Sequence, residues 1–189
     1  MKYFKKLIGE NIYLSPLNSQ DLEKFVEWLN DFETTDYTGR SSTLTTLEDE
    51  KQYLEKSTIS NTNKRQFGII SSKEDILIGT IGLHDIDYIN RKATLGIFIG
   101  DKQFRSKGYG TEAIKLILDF GFNYLNLNNI KLDLMEFNER ALKCYKKCGF
   151  KEYGRRRKSV YINGKYYDTI CMDILSCEFK ENYIKNKNI

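Results

Sequence analysis

The sequence contains one short turn in which two glycines lie among basic side chains. This turn, residues 105–111 (RSKGYGT), lies between the apolar run 94–100 and the segment 112–125, where apolar residues recur at helical spacing. Glycine lets the backbone approach an anion closely, and the free N–H groups of a helix's first turn point toward negative charge. The order strand, basic turn, helix therefore predicts a cradle for a pyrophosphate. A tight connection that binds nothing has the same pattern, so the prediction needs further support.

A second block of residues downstream supplies that support. Residues 138–150 read NERALKCYKKCGF. The R-x-x-G-x-G pattern of the turn, followed by this Asn…Ala…Tyr-x-Lys-x-Gly-Phe block, resembles the GNAT (GCN5-related) family of acyl-CoA-dependent N-acetyltransferases. The patterns of other phosphate loops, G-x-x-x-x-G-K-[ST] and G-x-G-x-x-G, are absent. The resemblance covers residues 11–178 and is closest to the branch that acetylates ribosomal-protein alanine residues and polyamines such as spermidine.

The resemblance implies which residues hold the co-substrate, acetyl-CoA. In the family the glycine turn binds the pyrophosphate, and backbone groups at the end of the preceding strand pair with the pantetheine amides. A backbone N–H near Phe98 or Ile99 would then stabilise the oxyanion of the reaction. The implied cofactor-binding residues are Phe98, Ile99, Gly100, Arg105, Ser106, Lys107, Gly108, Tyr109, Gly110, Thr111, Asn138, Ala141 and Lys147. Asn138 also has the side chain and the position of a helix N-cap.

Acetyl transfer from a thioester to an amine needs a neutral nucleophile, donors for the developing oxyanion and a proton for the departing thiolate. The resemblance implies that Tyr145 donates this proton to the coenzyme A sulfur, which makes it the predicted catalytic residue. The other interpretation is a core tyrosine, one of thirteen in the sequence, whose hydroxyl needs only a hydrogen-bond partner.

The identity of the general base stays open between His84, Glu136 and water. His84 is the only histidine and could titrate near neutral pH, but a single histidine is more often structural or exposed. Glu136 is expected to face the site strand and could act through a water molecule. Thr94 stands where many relatives in this branch carry glutamate, which puts the usual role of that carboxylate in doubt.

Four cysteines raise the question of a metal site or a covalent mechanism. Cys144 and Cys148 are four residues apart on a predicted helix, and Cys171 and Cys177 follow. With one histidine and no C-x-x-C pair, we predict no metal site. A nucleophilic Cys144 has no histidine nearby in sequence and no use in a direct transfer. We interpret the four cysteines as buried thiols.

The composition indicates a single globular domain. The chain of 189 residues is long enough for one sizeable core, and no Pro-, Gly- or Ser-rich linker divides it. We expect a domain over residues 1–179 and a polar, frayed tail over 180–189. A net charge of +4 is small for a protein devoted to nucleic acid, which argues against that partner. Without a signal peptide or a long apolar run, we expect a cytoplasmic protein that makes no use of a membrane.

Hydrophobic spacing predicts alternating strands and helices. The predicted strands cover residues 11–17, 67–70, 76–83, 93–99, 130–137, 152–162 and 166–175, and the predicted helices cover 22–29, 46–56, 112–125 and 139–148. Leu47, Tyr53 and Leu54 are expected to face inward, and Asn163–Gly164 to form a hairpin turn. The predicted fold is α+β: the GNAT fold, a mixed, mostly antiparallel seven-stranded sheet flanked by about four helices, which the family splays between strands four and five.

We therefore predict an acetyl-CoA-dependent N-acetyltransferase that acetylates a primary amine of a polyamine-like small molecule or of a protein N-terminus. The polar loop 31–46 would form the acceptor side, and its few acids do not decide between acceptors. We also expect a homodimer, formed through sheet edges or the aromatic hairpin near the C-terminus. The alternative is a coenzyme A-binding or nucleic-acid-binding module without turnover, suggested by the basic run 155–158 and by Thr94.

Overall fold

A computed structural model describes residues 2–58, 63–180 and 182–185, and in these residues eight strands form one sheet with five α-helices around it. The strands are β1 (Leu7–Ile8), β2 (Ile12–Pro16), β3 (Arg65–Ser71), β4 (Leu77–Asp87), β5 (Lys92–Ile99), β6 (Asn129–Met135), β7 (Lys151–Ile162) and β8 (Lys165–Leu175). The helices are α1 (Leu22–Leu29), α2 (Phe32–Thr35), α3 (Leu47–Thr58), α4 (Tyr109–Asn123) and α5 (Glu139–Lys147). Short 3-10 turns lie at Ser19–Asp21, Lys102–Phe104 and Ser176–Glu178.

The strand order is β1-β2-β3-β4-β5-β6-β8-β7, and every neighbouring pair is antiparallel except β5 and β6. Parallel neighbours need a crossover connection, and α4 supplies it. Its apolar residues lie buried in the larger core cluster together with strand residues such as Leu83 and Ile130. The chain that leaves β5 must therefore turn, pass through α4 and return as β6.

The sheet opens between β5 and β6. Their ladder runs only from Lys92 opposite Asn129 to Thr94 opposite Lys131, whereas β5 continues to Ile99 paired with β4. Beyond the ladder, the end of β5 has no strand beside it on that edge in the described structure. These strands are the fourth and fifth of the predicted seven, so the predicted splay is confirmed.

Helices α1 and α3 cover the part of the sheet formed by β2, β3 and the start of β4. A second core cluster joins Phe25 and Trp28 of α1 and Leu54 of α3 to Tyr13 and Ile70 of the sheet. The aromatic ring of Phe98, near the end of β5, meets Trp28 edge to face with 6.0 Å between ring centroids. The α1 side of the sheet is thereby fixed next to the opening.

The structure confirms the predicted GNAT-type α+β fold and corrects several details. The sheet has one more strand than predicted, because Leu7 and Ile8 pair with β2. The additional helix, α2, is a single turn within the predicted loop 31–46. The hairpin at Asn163 and Gly164 is confirmed, with φ values of 51° and 78°. The inward orientation of Leu47 is wrong, because this side chain is 51% exposed.

The described residues of the predicted C-terminal tail lie against the domain. The Asp119 carboxylate, fully buried on α4, accepts hydrogen bonds from the backbone N–H groups of Tyr183 and Ile184 at 2.6 and 3.0 Å. The Lys185 N–H donates to the Ile8 carbonyl at 2.9 Å. Residue 181 and residues 186–189 of that tail lie outside the described residues. The hydrogen bonds of residues 183–185 attach them to the domain.

Candidate active site

The opening between β5 and β6 forms part of a cavity of about 580 Å³. Its walls come from the end of β5, the turn before α4, the end of β6, helix α5 and the loop after α1. The predicted site residues that line it are Phe98, Ile99, Arg105, Ser106, Gly108, Gly110, Thr111, Asn138, Ala141, Tyr145 and Lys147. One cavity therefore brings together most residues of the two sequence blocks.

Three predicted cofactor residues lie outside this lining. A Cβ atom at Gly100 would overlap the Trp28 ring, so glycine is needed there for packing. Tyr109 packs against Phe104, with ring centroids 5.5 Å apart. The ammonium group of Lys107 lies 6.0 Å from the Phe104 centroid on an exposed side chain, where it can still reach an anion above the turn.

The glycine turn leaves open space in front of the first turn of α4. Gly108 is the N-cap residue with a φ of 91°, a left-handed conformation that favours glycine, and no atom lies within 4 Å of where its Cβ would be. A Cβ at Gly110 would have one neighbour, the Ile99 side chain, at 3.9 Å. The N–H groups of this first turn have no partner earlier in the helix. The local geometry is that of an anion site.

Arg105 points away from this open space. Its guanidinium donates to Glu33 at 2.9 Å, to Thr34 at 2.7 Å and to the backbone carbonyls of Ile99 and Gly100 at 3.1 Å each. Its side chain is only 9% exposed. The structure thus gives Arg105 a role that the motif did not indicate: it joins the glycine turn to the loop that holds α2.

Tyr145 lies on α5 at the cavity wall. The residue is 9% exposed, and its ring meets Phe150 edge to face at 5.9 Å. Its hydroxyl makes no hydrogen bond within the described residues and is not among their buried, unpaired polar atoms, so it reaches open space. Burial raises the pKa of Tyr145 further above neutrality, which keeps the hydroxyl protonated. The group is in the form that a proton donor needs.

Asn138 fixes the start of α5. Its Oδ1 accepts a hydrogen bond from the Ala141 N–H at 3.1 Å, as expected of an N-cap. Asn138 is 8% exposed and lies between the end of β6 and the helix that carries Tyr145. The cap therefore sets the position of the tyrosine relative to the opening of the sheet.

A family model described as an acetyltransferase (GNAT) domain matches residues 11–151. The chain belongs to the GNAT acetyltransferase family. A probable N-acetyltransferase of Bacillus subtilis, YjcK, is 32% identical over 183 residues, which cover 90% of this chain and 97% of that protein. The spermidine N(1)-acetyltransferase of Vibrio cholerae is 34% identical over 131 residues, 69% of this chain and 75% of that protein.

Solved structures agree with this assignment. The crystal structure of spermidine N-acetyltransferase from Vibrio cholerae, in complex with CoA and spermine, superposes with a TM-score of 0.82 at 28% identity. It covers 89% of this chain and 98% of the other. A dodecameric structure of the same enzyme in an intermediate state has a TM-score of 0.75 at 27% identity, with 89% and 96% covered.

In this GNAT acetyltransferase, His84 faces the cavity across two glycines. A Cβ at Gly82 or Gly96 would lie 3.4 or 3.2 Å from the His84 Nε2, so the two glycines make room for the imidazole. Burial lowers the pKa of His84, and the positive charges of Lys64 and Arg40 lower it further. The ring is therefore neutral at pH 7 and able to accept a proton.

The other protein candidate for the base lies elsewhere. Glu136 is not part of the cavity lining, and its carboxylate accepts a hydrogen bond from the Asp168 N–H at 2.8 Å. Thr94 is paired with His84 across β4 and β5. Directly opposed residues of an antiparallel pair share a face of the sheet. His84 and Thr94 therefore lie on the same face of the sheet.

Glu50 is a buried carboxylate in the cavity wall that no sequence motif indicated. Glu50 lies in the first turn of α3, is 7% exposed and has no hydrogen bond or ion pair for its carboxylate within the described residues. Burial raises its pKa to about 6, although the charges of Arg40 and Lys64 oppose the shift. The spacing along the helix could have indicated that Glu50 faces inward, because Glu50 lies one helical turn before the inward residue Leu54.

The cysteines and the basic run have varied surroundings. Cys148 and Cys171 are buried, but Cys144 is partly exposed and Cys177 is exposed, so the interpretation of four buried thiols is wrong. In the run 155–158, Arg155 pairs with Glu152 at 2.7 Å and Arg156 with Asp133 at 2.6 Å. Within the described ranges, no three potential metal-binding side chains cluster. No helix described there has the length and apolar character to cross a membrane.

Proposed function

We propose that this enzyme transfers the acetyl group of acetyl-CoA directly to a primary amine of a small, polyamine-like molecule. The observation that carries the proposal is the pairing of two features in one cavity. Where β5 and β6 separate, the described end of β5 has backbone groups without a neighbouring strand. The buried Glu50 carboxylate and the neutral His84 imidazole lie on the acceptor side. The CoA and spermine held by the Vibrio cholerae relative support both substrate classes.

The cofactor arm would run along the opening. The pyrophosphate would meet the free N–H groups before α4, with Lys107 as the exposed cation nearby. The pantetheine amides would pair with backbone groups at the free edge of β5 around Phe98, in the way a strand pairs with a sheet edge. The carbonyls of Ile99 and Gly100 already accept bonds from Arg105. Phe98 is therefore the main backbone position left for the arm.

The reaction itself removes two protons from the acceptor nitrogen and adds one to the sulfur. His84, neutral and in the cavity wall, would take a proton from the acceptor ammonium, directly or through water. The amine nitrogen then attacks the thioester carbonyl carbon, and a backbone N–H near Phe98 or Ile99 stabilises the oxyanion. When the carbon–sulfur bond breaks, the Tyr145 hydroxyl gives its proton to the thiolate. The attacking nitrogen loses a second proton as the amide forms, and this proton restores the Tyr145 hydroxyl. The first proton, taken by His84, passes to solvent.

Glu50 would select a cationic acceptor. Other acids of the lining are already paired: Glu33 with Arg105 and Lys102, and Asp133 with Arg156. Glu50 has no such partner, and a buried carboxylate gains most from an ammonium group that comes to it. An ammonium bound there would lie in the same cavity as His84. A polyamine offers several such groups.

A thiol-release assay with acetyl-CoA tests the proposal. The panel includes spermidine, spermine, a diamine, an alanine-terminated peptide and the same peptide with a blocked N-terminus. We expect coenzyme A release with the polyamines and acetylated polyamine by mass spectrometry. Release with the free peptide alone would replace the polyamine by a protein N-terminus as acceptor. No release with any amine would overturn the proposed transfer and favour a module that only binds its ligand.

A further inference from the structure

Two cysteine sulfurs contact one residue at the wall of the cavity. Cys144 Sγ lies 3.2 Å from the Thr111 hydroxyl, and Cys148 Sγ donates to the Thr111 carbonyl at 3.8 Å. Both cysteines belong to the last turn of α5, where Cys148 is the C-cap, and Thr111 belongs to the first turn of α4. The two thiols therefore lie side by side, at the point where α5 touches the start of α4.

Their surroundings make the two thiols chemically unlike each other. Cys144 is partly exposed and lines the cavity, whereas Cys148 is 7% exposed. Hydrogen bonding from Cys148 lowers the pKa of Cys144, and Thr111 and the charge of Lys147 act in the same direction. An accessible thiolate beside a buried thiol is the arrangement of redox-sensing cysteine pairs.

We propose that Cys144 is an oxidation site, and that Cys148 resolves it to a disulfide that closes the last turn of α5. The oxidant is a peroxide. The Cys144 thiolate attacks one peroxide oxygen, which gives a sulfenic acid and releases hydroxide. The Cys148 thiol then attacks the sulfenic sulfur, a disulfide forms and water leaves. The two thiols lose two electrons together, and hydrogen peroxide gains them.

The backbone can accommodate this bond. Residues four apart in an α-helix have Cα atoms about 6.2 Å apart, which lies within the usual disulfide range of about 4.4 to 6.8 Å. Cys148 has already left helical geometry, with φ −85° and ψ 1°, and Gly149 follows with φ 95°. The end of the helix can thus adjust without disturbing the turns before it.

The disulfide would change the cavity. Bonding to Cys148 removes the Cys144 sulfur from Thr111 and tightens the turn that contains Tyr145. The Tyr145 carbonyl accepts bonds from the N–H groups of Cys148 and Phe150, so the tyrosine belongs to the segment that must move. Oxidation should therefore lower turnover, and a thiol reductant should restore it. The covalent step itself does not depend on which amine the enzyme acetylates.

Peptide mapping tests the pair. The reduced protein is treated with hydrogen peroxide, its remaining thiols are blocked with N-ethylmaleimide, and it is digested with trypsin. Cleavage at the surrounding lysines gives Cys144 in CYK and Cys148 in CGFK. We expect these two peptides to be linked and two mass units lighter than their sum, and the link to disappear with dithiothreitol. Recovery of both peptides with blocked thiols would overturn the proposal.

Single substitutions test the order of events. In Cys148→Ser, Cys144 should accumulate as a sulfenic acid that dimedone labels; in Cys144→Ser, Cys148 should stay reduced. Equal oxidation of Cys148 in the absence of Cys144 would contradict the assigned roles. The exposed Cys177 is the matched internal comparison, and at pH 7 we expect Cys144 to oxidise about tenfold faster because hydrogen bonding favours the Cys144 thiolate. A faster reaction at Cys177 would also count against the proposal.

Discussion

Tyr145 has a hydroxyl that touches no described partner, although the rest of the side chain is buried. A core tyrosine usually keeps a hydrogen bond for its hydroxyl, because an unpaired buried polar group costs free energy. Here the hydroxyl opens onto the cavity and burial keeps it protonated. These facts favour the proton-donor interpretation over the core interpretation that the sequence left open.

Tyr145→Phe should separate the two interpretations. Since the ring stays and no hydrogen bond is lost, we expect little change in melting temperature or in acetyl-CoA affinity. Removal of the proton donor should lower kcat by about 10²-fold, the usual size of a general-acid contribution. Steady-state kinetics, calorimetry and thermal unfolding on the same variant check this. Normal turnover with a loss of about 1 kcal/mol in stability would make Tyr145 a structural residue.

Glu50→Gln should make the protein more stable and the enzyme worse. A carboxyl group with a raised folded pKa binds its proton more tightly when folded, so wild-type stability rises as pH falls from about 6 toward 4.5. At pH 7 the glutamine variant should be more stable by up to about 2 kcal/mol, and the difference should vanish near pH 4.5. The KM for a cationic amine should rise about tenfold at pH 7, through loss of the charge.

Urea unfolding at several pH values and kinetics at pH 7 measure these effects. Glu48→Gln is the matched control, because Glu48 lies in the same first turn of α3 but is exposed. We expect neither effect in the control. A Glu50→Gln variant that is less stable than wild type at pH 7 would show that the carboxylate has a partner in the folded protein.

At the scale of elements, the turn before α4 does two things at once. Its glycines leave room for an anion, while Arg105 holds it against the loop that carries α2. The motif predicted the first property, because glycine's conformational freedom is local. It could not predict the second, since Glu33 and Thr34 lie about seventy residues away in sequence.

Gly110→Val should weaken acetyl-CoA binding by at least tenfold with little effect on folding. The added atoms enter open space, because the nearest neighbour of a Cβ at this position is 3.9 Å away. They would occupy the room proposed for the pyrophosphate. Gly154→Val is the control, as a Cβ there also meets nothing within 4 Å and Gly154 is not part of the cavity lining. Unchanged affinity by calorimetry would leave the turn as a structural connection only.

Arg105→Lys should loosen the acceptor loop. A lysine cannot reach Glu33, Thr34 and two carbonyl groups together, so we expect a loss of about 1 to 3 kcal/mol in stability. Faster proteolysis within residues 36–46 should accompany it. Lys102→Gln is the control: Lys102 pairs with Glu33 and Asp31 but is 52% exposed, and such pairs contribute at most about 1 kcal/mol. Equal effects in both variants would refute the special role of Arg105.

On the scale of the whole molecule, we predict a homodimer through the hairpin of β7 and β8. β7 is an edge strand, and the hairpin exposes Tyr153, Tyr161 and Tyr166. Sedimentation at micromolar concentration should show a dimer or a larger even assembly, and Tyr161→Lys should dissociate it. A monomer for the wild-type protein would remove the prediction.

The sequence predicted most strands and helices and the opening of the sheet between β5 and β6. It did not predict some of the tertiary contacts. Alternating residues and helical spacing located most elements, because burial of one face of a strand or helix produces a periodic pattern of apolar residues. The strand Leu7–Ile8 is too short to leave one, and polar composition suggested fraying where Asp119 in fact binds the backbone of residues 183 and 184. Glu50 was missed for a similar reason: charged helix residues usually face solvent, and only tertiary packing shows that this one does not.

The short ladder between β5 and β6 divides the sheet into two parts. One runs from β1 to β5, the other comprises β6, β8 and β7, and α4 is the covalent link between them. In the proposed complex the pantetheine arm would lie between β5 and β6, in the position that a further strand would take. The co-substrate would then connect the two parts of the sheet. The sheet would then be more continuous in the acetyl-CoA complex than in the free enzyme. Each release of coenzyme A would open the gap between β5 and β6 again.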